Sequence, residues 1–464
     1  MAALLILFAA PVAHALPLPI VWSDHYGAAA NDGFTAVATG PAGAVYAAGF
    51  TEAPGTTFAP GSGGRLLLVK YRDDNGTMNR QWVRTFVAHG VTGASASKIA
   101  VDSAGNVIVA GTVGVPDLRG KGSDILVLKY SPAGALLWKT TYDGPGHRED
   151  YVNGLALDAK GNALVVGASV GKGTSRDYVT IKVRANGSRA WVRRFAGPGG
   201  FDEARGVAVD AVGSVYVTGE SRLKAKIPGK SGLPSAVTIS YGGTGARRWL
   251  IVDRLARATA GAAVMYCGVP GGRGVIVSGW RYSGAARNGA FFTKYSASSG
   301  SRIWSQALTG RSDSGAWPEA AGLDGSGAPI AAGMANESGG IQGYIAGVSA
   351  NGGTAWRSIF LSAITDPGWA EFDALAVGSG GSVLAGGWTQ TAEPPSALSM
   401  STPSAFMVRY SPSWPVTAPL DYVGPGSSTS KGKCTAVTVG ANARYAVGQE
   451  SSTASGLDAV LIKF

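Results

Sequence analysis

The sequence has few of the residues and patterns that define several large protein classes. Its 464 residues include two cysteines and four histidines, and only 15% of them are charged. No stretch shows the long apolar period of an amphipathic helix, and no apolar run beyond residue 15 is long enough to span a membrane. Composition does not shift along the chain as it would at linkers between domains. We therefore expect neither a helical protein, nor a string of separate domains, nor a membrane-spanning chain.

Sequence motifs for metal or cofactor chemistry are also missing. There is no HExxH, CxxC, GxSxG, phosphate-binding glycine loop or D-x-D-x-D-G calcium loop, and His25 and His89 have no companions at metal-ligand spacing. The sequence therefore predicts no cofactor and no metal site. Paired carboxylates for glycoside hydrolysis remain open, because they can come from distant parts of a chain.

An apolar segment at the start of the chain ends in Ala13-His14-Ala15, a small-x-small cleavage pattern. It predicts a signal peptide over residues 1–15 and a secreted, periplasmic or cell-surface protein. Residues 16–464 are then expected to form a single domain.

A recurring tryptophan divides the chain into similar units. Glycine is abundant, with 70 residues, and marks tight turns between short apolar runs. The repeated tryptophans are spaced by 52 to 60 residues, at positions 22, 82, 138, 191, 249, 304 and 356. In an eighth unit, Ala418 stands at the tryptophan position.

Each unit contains four predicted strands. A strand such as Gly206 to Asp210 is followed by a D-x-x-G turn, a second strand that ends in glycine, a third strand such as Ile125 to Tyr130, and the tryptophan strand. The first strands are predicted to start near Thr35, Lys98, Asn153, Gly206, Ala262, Glu319, Asp373 and Cys434. Four strands repeated eight times predict an all-β, eight-bladed β-propeller of four-stranded antiparallel blades.

The two ends of the repeat predict how the ring closes. After the signal segment the chain begins with an outermost strand, residues 20–26, and it stops on a third strand, residues 459–464. We expect these strands to pair in the last blade.

These motifs resemble a known bacterial repeat. The D-x-x-G-N turn, the strand ending in glycine, the (L/V)-K-Y strand and the G-x-x-x-W hairpin are similar to the SBBP-type β-propeller repeat. That resemblance implies a fold found in exported and surface proteins, without a particular activity. Gly134-x-x-x-Trp138 and Gly187-x-x-x-Trp191 are also similar to the tryptophan-docking motif of quinoprotein propellers, which are eight-bladed too.

Residues that recur in most units are expected to serve the blade. We interpret the tryptophans as packing between blades, and the third-strand lysines (Lys70, Lys129, Lys182, Lys294 and Lys463) as solvated or blade-bracing residues. Acidic residues just ahead of the first strands are interpreted as backbone contacts rather than as a cation-binding ring at the channel mouth; they are Asp32, Asp150, Asp202, Glu319 and Glu371. Cys267 and Cys434 fall in blades that are not neighbours, so we expect two buried thiols rather than a disulfide.

Departures from the repeat mark candidate ligand-binding residues. Aromatic residues fall on predicted loops of one face in blades 5 to 7, with carboxylates beside them: Trp280, Trp317, Trp369, Trp388, Asp313, Asp366 and Glu371. They could stack on sugar rings or an apolar ligand, or they could plug the axial channel. A second candidate is the polar loop His147, Arg148, Glu149 and Asp150, which is more typical of a solvated loop than of a catalytic site.

Three functions remain open. The sequence favours an exported, non-catalytic propeller that binds a glycan, a peptide or a cell-surface partner through its loop face. The alternatives are a carbohydrate-active or quinoprotein-like enzyme, and a structural scaffold. The formal net charge of +11 could suit an anionic surface polymer, but a solvated basic surface is the favoured explanation. Nothing points to specific nucleic-acid binding.

Overall fold

The computed structural model describes residues 21–27, 31–52, 64–74, 77–87, 93–114, 122–222, 232–253, 256, 258–268, 273–282, 289–309, 316–337, 340–353, 355–360, 369–378, 382–390, 404–410, 432–440, 443–451 and 457–463. The residues predicted to form a signal peptide lie outside these ranges, as do Asp313, Asp366 and Ala418. So does the side chain of Trp369. None of the described helical residues forms a segment long and apolar enough to cross a membrane.

The short apolar runs between glycine-rich turns fold into antiparallel sheets, each of which is one blade. The innermost strands are β2 (Asp32–Thr39), β6 (Ala94–Val101), β10 (Asp150–Leu157), β14 (Asp202–Val209), β18 (Ala258–Cys267), β22 (Ala316–Leu323), β26 (Trp369–Val377) and β29 (Gly432–Val439). The second strands are β3 (Ala44–Thr51), β7 (Val107–Val113), β11 (Ala163–Val170), β15 (Val215–Arg222), β19 (Gly274–Tyr282), β23 (Pro329–Glu337), β27 (Val383–Gln390) and β30 (Arg444–Ser451).

The third and outer strands complete the blades. The third strands are β4 (Arg65–Asp74), β8 (Asp124–Tyr130), β12 (Arg176–Val183), β16 (Pro234–Tyr241), β20 (Gly289–Ser296), β24 (Gly340–Val348), β28 (Ser404–Tyr410) and β31 (Leu457–Lys463). The outer strands are β5 (Thr77–Phe86), β9 (Leu136–Tyr142), β13 (Arg189–Phe195), β17 (Arg247–Val252), β21 (Arg302–Thr309), β25 (Ala355–Phe360) and β1 (Trp22–Tyr26). A 3-10 turn, Pro41–Gly43, joins β2 to β3. The predicted outer strand of blade 7 lies outside the described residues.

The fold is the predicted eight-bladed, all-β propeller, and its ends meet as expected. β1 pairs antiparallel with β31, with Asp24 opposite Leu461, so the last blade contains both ends of the described chain. This blade packs on blade 1 through a shared apolar cluster that includes Phe34, Val447 and Leu461. Across the same junction, the Thr435 hydroxyl donates a hydrogen bond of 2.6 Å to the Phe34 carbonyl.

The repeated tryptophans pack between blades, as predicted. In the first four blades the indole Nε1 donates to a turn carbonyl of the next blade, as Trp138 does to Ala185 at 2.9 Å. Each ring lies against the glycine of that turn, so a Cβ added to Gly187 would lie 2.7 Å from Trp138 Cγ. The G-x-x-x-W motif therefore links successive blades: its glycine receives the tryptophan of the preceding blade.

The third-strand lysines brace the blades and are mostly not solvated. Lys182 is 7% exposed, and its Nζ lies 2.8 Å from Oδ2 of Asp158 in the D-x-x-G turn. Lys129 makes the equivalent bond to Asp102. Burial opposes ionisation of Asp158, but hydrogen bonds from Lys182 and Asn162 hold its pKa below the ordinary value. The solvated alternative is thus wrong for these lysines.

Every inner strand contains a β-bulge, which explains the recurring glycine. The inner strands also begin before their predicted starts, so those starts were too late. The register slips by one residue opposite the glycine, as between Ala204 and Gly206 in blade 4. The bulge brings a carbonyl against that glycine: a Cβ on Gly219 would lie 2.0 Å from the Glu203 carbonyl oxygen. The extra residue interrupts the regular alternation of side chains between the two faces of the strand. The residues ahead of it therefore do not show a strand pattern in the sequence and are predicted to form a loop.

Candidate functional site

One layer of side chains surrounds the face of the ring where the inner strands begin. It contains the residue that follows each recurring glycine and its partner on the inner strand, and we call it the rim layer. Its pairs, blade by blade, are Gly33–Phe50, Ser95–Thr112, Tyr151–Ala168, Glu203–Glu220, Ala260–Trp280, Trp317–Met334, Glu371–Trp388 and Lys433–Gln449.

Three predicted ligand-binding tryptophans occupy the rim layer of consecutive blades. Trp280, Trp317 and Trp388, which we call the aromatic arc, belong to blades 5, 6 and 7, and all three side chains are half-buried. They lie on strands β19, β22 and β27 rather than on loops, which corrects the predicted loop placement. Trp369 begins β26 opposite Gln390, two positions outside the layer.

Charged residues from four blades face one another beside the aromatic arc. The carboxyl of Glu319, in blade 6, interacts electrostatically with Glu371 and Asp373 of blade 7, Arg205 of blade 4 and Lys433 of blade 8. Because Arg205 and Lys433 lie two blades away in opposite directions, we infer that Glu319 faces the axis of the ring. We call these five residues the channel charges.

Glu319 is the most perturbed of the channel charges. Its side chain reaches solvent, yet its pKa is raised to about 7, first because the surrounding protein reduces its solvation and then because Glu371 repels its charge. Burial also raises the pKa of Asp373, while Lys433 lowers it. Lys433 Nζ lies 3.3 Å from Asp373 Oδ2 and 5.3 Å from the centre of the Trp388 ring.

The five recurring acidic residues do not form one ring. Asp32, Asp150 and Asp202 begin their inner strands and are buried, whereas Glu371 lies in the rim layer and Glu319 at the bulge. The buried aspartates contact backbone, as Asp202 does in accepting a hydrogen bond of 2.6 Å from Gly197 N. Sequence spacing alone could not separate these positions, because the bulge shifts the register.

The predicted polar loop folds against the start of the third strand of blade 2. His147 is exposed and its Nδ1 lies 2.6 Å from Asp143 Oδ2, and Arg148 is exposed while Glu149 is half-buried. Asp150 is 0% exposed, and its backbone N donates a hydrogen bond to the Ser123 carbonyl.

The same loop brings three aspartates together, a grouping that the sequence analysis missed. Carboxylate oxygens of Asp124, Asp143 and Asp150 all lie within 4.8 Å of one another, and we call these residues the acidic cluster. Burial, and then repulsion from Asp143 and Asp150, raises the pKa of Asp124 to about 6. Asp124 and Asp150 are 26 positions apart, so only the fold brings them together.

Two grooves lie between blades on the opposite face. One of about 650 Å³ is lined by Asp210, Tyr216, Arg248 and Tyr266, and one of about 630 Å³ lies at the same place one blade earlier. Neither contains a predicted site residue. Their recurrence at neighbouring junctions indicates a feature of the repeat.

The two cysteines do not form a disulfide. Cys267 and Cys434 are both buried and free, on inner strands of blades 5 and 8. Burial raises the pKa of the Cys434 thiol to about 12, so at neutral pH it is a small apolar side chain rather than a nucleophile.

Comparison with known proteins agrees with this geometry. A family model described as "Beta-propeller repeat", SBBP, matches residues 190–221, which run from the outer strand of blade 3 to the second strand of blade 4. This segment carries the SBBP β-propeller repeat. The match spans one inner strand, one D-x-x-G turn and one recurring glycine; every blade has the inner strand and the glycine, and blades 2, 3 and 6 also have the turn. No curated protein matches the chain.

Among solved structures, one with a TM-score above 0.5 shares the fold of this chain. A quinohemoprotein alcohol dehydrogenase from Comamonas testosteroni is similar over 96% of this chain and 76% of its own, with a TM-score of 0.51 and 12% identity. The propeller domain of the Trilobed protease from Pyrococcus furiosus is similar over 82% of this chain and 92% of its own, with a TM-score of 0.44 and 10% identity. At these identities the likeness concerns the fold alone.

Proposed function

We propose that this propeller is an exported, non-catalytic binding protein that takes a glycan on the face bearing the rim layer. The observation that carries the proposal is the aromatic arc: three half-buried tryptophans at one register level in three consecutive blades. Five of the eight blades have no aromatic residue after the recurring glycine, so the blade fold does not require one there. Clustered indoles beside hydrogen-bonding groups are typical of sites for ligands with both apolar and polar faces.

The channel charges supply the polar part of such a site. Glu319 and Glu371 can accept hydrogen bonds from hydroxyl groups, while Arg205 and Lys433 donate. The cluster contains three acidic and two basic groups, which suits a neutral, hydroxyl-rich ligand better than a polyanion. Export is inferred from the signal-like residues 1–15.

A glycan array tests this proposal, using the wild type and the variants Trp280→Ala, Trp317→Ala and Trp388→Ala. Phe50→Ala is the matched control, because Phe50 is a half-buried aromatic at the same rim-layer position in blade 1. We expect the three tryptophan variants to lose binding and the control to keep it. The proposal fails if the wild type binds no glycan, or if binding depends on Phe50 as much as on the aromatic arc.

The raised pKa of Glu319 favours a second candidate, a carbohydrate-active enzyme. A carboxyl with a pKa of about 7 beside a second carboxylate has the protonation state of a general acid in glycoside hydrolysis. Chromogenic glycosides distinguish the two functions. Turnover that is abolished by Glu319→Gln but kept by the rim-layer control Glu203→Gln would favour the enzyme, whereas glycan binding without turnover would favour the binding protein.

A further inference from the structure

Lys98 departs from the repeat at a position where space is limited. It directly follows the bulge of β6, and the residue at this place in the other seven blades is always small: Ala36, Gly154, Gly206, Ala263, Ala320, Ala374 and Ala436. The next inner strand passes close by, since a Cβ added to Gly206 would lie 2.9 Å from Val264 N. The long side chain of Lys98 therefore has to extend away from this junction.

The axial channel is the space that remains for the Lys98 side chain. Each innermost strand contacts the innermost strands of both neighbouring blades, so the eight strands enclose the axis. Lys98 is the fifth of the eight residues of β6, away from both ends of the strand, and it is exposed. Burial nevertheless lowers the pKa of its ammonium group. A side chain that reaches solvent and is still poorly solvated is typical of a narrow channel rather than of an outer surface.

The charge of Lys98 has no partner in the part of the chain that the structure describes. Burial is the one influence on its pKa, whereas the channel charges act on one another. The third-strand lysines show the contrast, because Lys129 and Lys182 are buried and each is paired with a turn aspartate. A poorly solvated cation without a counter-charge is unfavourable, and an anion beside it would offset that cost.

The channel changes in character at the level of Lys98. Towards the rim layer, the bulge residue is polar in seven of the eight blades, and three of these residues are the channel charges Arg205, Glu319 and Asp373. Away from the rim layer, the residue two positions after the bulge is apolar in every blade: Val37, Ile99, Leu155, Val207, Val264, Ala321, Leu375 and Val437. All but Val264 are half-buried, so they present apolar surface to the channel. Lys98 thus lies between a polar half and an apolar half.

We propose that the channel binds a medium-chain carboxylate, with its head group on the ammonium group of Lys98 and its alkyl chain among the apolar residues beyond it. The carboxylate supplies one negative charge to one unpaired cation and accepts a charge-assisted hydrogen bond. Three residues, about 10 Å, separate Lys98 from the end of β6, and an extended chain of about eight carbons covers that length. This site is separate from the proposed glycan site, and neither depends on the other.

Titration calorimetry with acetate, octanoate and 1-octanol tests the proposal, because these probes carry the head group alone, both parts, and the alkyl chain alone. The diagnostic variant is Lys98→Ala, since five other blades have alanine at this position and the change should not disturb folding. Lys98→Met is a second variant, which keeps most of the length of the side chain but not its charge. The matched control is Lys160→Ala, which removes an exposed lysine from the D-x-x-G turn of blade 3.

We expect one octanoate per wild-type chain, bound at least about tenfold more tightly than acetate or 1-octanol. Both Lys98 variants should bind octanoate at least about tenfold more weakly, and Lys160→Ala should bind it as the wild type does. Octanoate should also raise the melting temperature of the wild type and of Lys160→Ala more than that of Lys98→Ala. Absence of octanoate binding by the wild type at millimolar concentration would overturn the proposal. So would wild-type affinity in both Lys98 variants, or equal affinity for octanoate and acetate.

Discussion

The contact between Trp138 and Gly187 allows a quantitative test of how the blades are joined. Gly187 has φ +88°, and an added Cβ would lie 2.7 Å from Trp138 Cγ. Alanine at this position would therefore meet two costs: about 1–2 kcal/mol for a left-handed backbone and about 1–3 kcal/mol for displacing the ring. We expect Gly187→Ala to lower the free energy of unfolding by about 2–5 kcal/mol.

Two further variants separate these costs. Gly173 also has a left-handed backbone, with φ +77°, but an added Cβ would meet nothing within 4 Å, so Gly173→Ala should cost only about 1–2 kcal/mol. In a Trp138→Ala background the ring is absent, and Gly187→Ala should then cost less than it does in the wild type, although the Cβ of residue 138 remains 2.9 Å from the added Cβ. The resulting double-mutant cycle measures the ring contact directly.

Chemical denaturation followed by far-ultraviolet circular dichroism is the appropriate assay, because it reports strand content and is insensitive to loss of one fluorophore. Midpoints and slopes should be compared, since a change in slope would show that the variants do not unfold in one step. If Gly187→Ala were no more destabilising than Gly173→Ala, or if removing Trp138 gave no relief, the docking explanation of the G-x-x-x-W motif would be refuted.

Three other perturbations test the framework. Lys182→Met leaves Asp158 without its buried ion-pair partner, so we expect a loss of about 3–5 kcal/mol at neutral pH. The difference from the wild type should shrink as pH falls, because the stability from a carboxylate of depressed pKa is present above its unfolded pKa and is lost in acid. Deleting residues 22–26 removes β1, which pairs with β31, and should lower the melting temperature markedly. Glu319→Gln should flatten the pH dependence of stability: the folded pKa of about 7 exceeds the unfolded one, so wild-type stability should decrease as pH rises from about 4.3 to about 7.

Each of these three predictions would be contradicted by a specific result. Thermal melts of Lys182→Met that match the wild type at all pH values would mean that the buried pair contributes nothing. An unchanged melting temperature after removal of β1 would show that the two ends do not hold the last blade together. A pH profile of Glu319→Gln identical to that of the wild type would mean that this carboxyl is ordinarily solvated.

The sequence predicts the architecture well because every structural contact is repeated. Eight glycines and the recurring tryptophans indicate the number of blades, and the unmatched strands at the two ends predict the pairing of β1 with β31. The inner-strand boundaries were missed for a physical reason: the bulge at residues such as Asn153 interrupts the alternation that marks a strand. The sequence did not decide whether the third-strand lysines are solvated or brace the blade. The turn aspartate that pairs with them lies between two other strands, so sequence spacing does not indicate the contact.

The candidate sites are predicted less completely, because their residues are not repeated. The aromatic arc stood out as a departure at a fixed position, one residue after a glycine. Asp373 and Lys433 did not, although they lie beside Trp388, because nothing in their local sequence indicates that neighbouring blades bring them together. The acidic cluster depends on Asp124 in one blade and Asp150 in the next, and no spacing rule links those two positions.

The rim layer shows how a repeated backbone can carry individual chemistry. The glycine of each second strand is required, since a Cβ there would lie within about 2 Å of the bulge carbonyl. The next residue has no such constraint, and it is Phe50, Thr112, Ala168, Glu220, Trp280, Met334, Trp388 or Gln449 in successive blades. The required glycine and the variable residue are therefore adjacent in the sequence. The glycine allows the bulge to form, and the bulge determines where the variable side chain lies. A binding surface can thus change one blade at a time without altering the geometry of the ring, which is why a common fold gives so little indication of a common ligand.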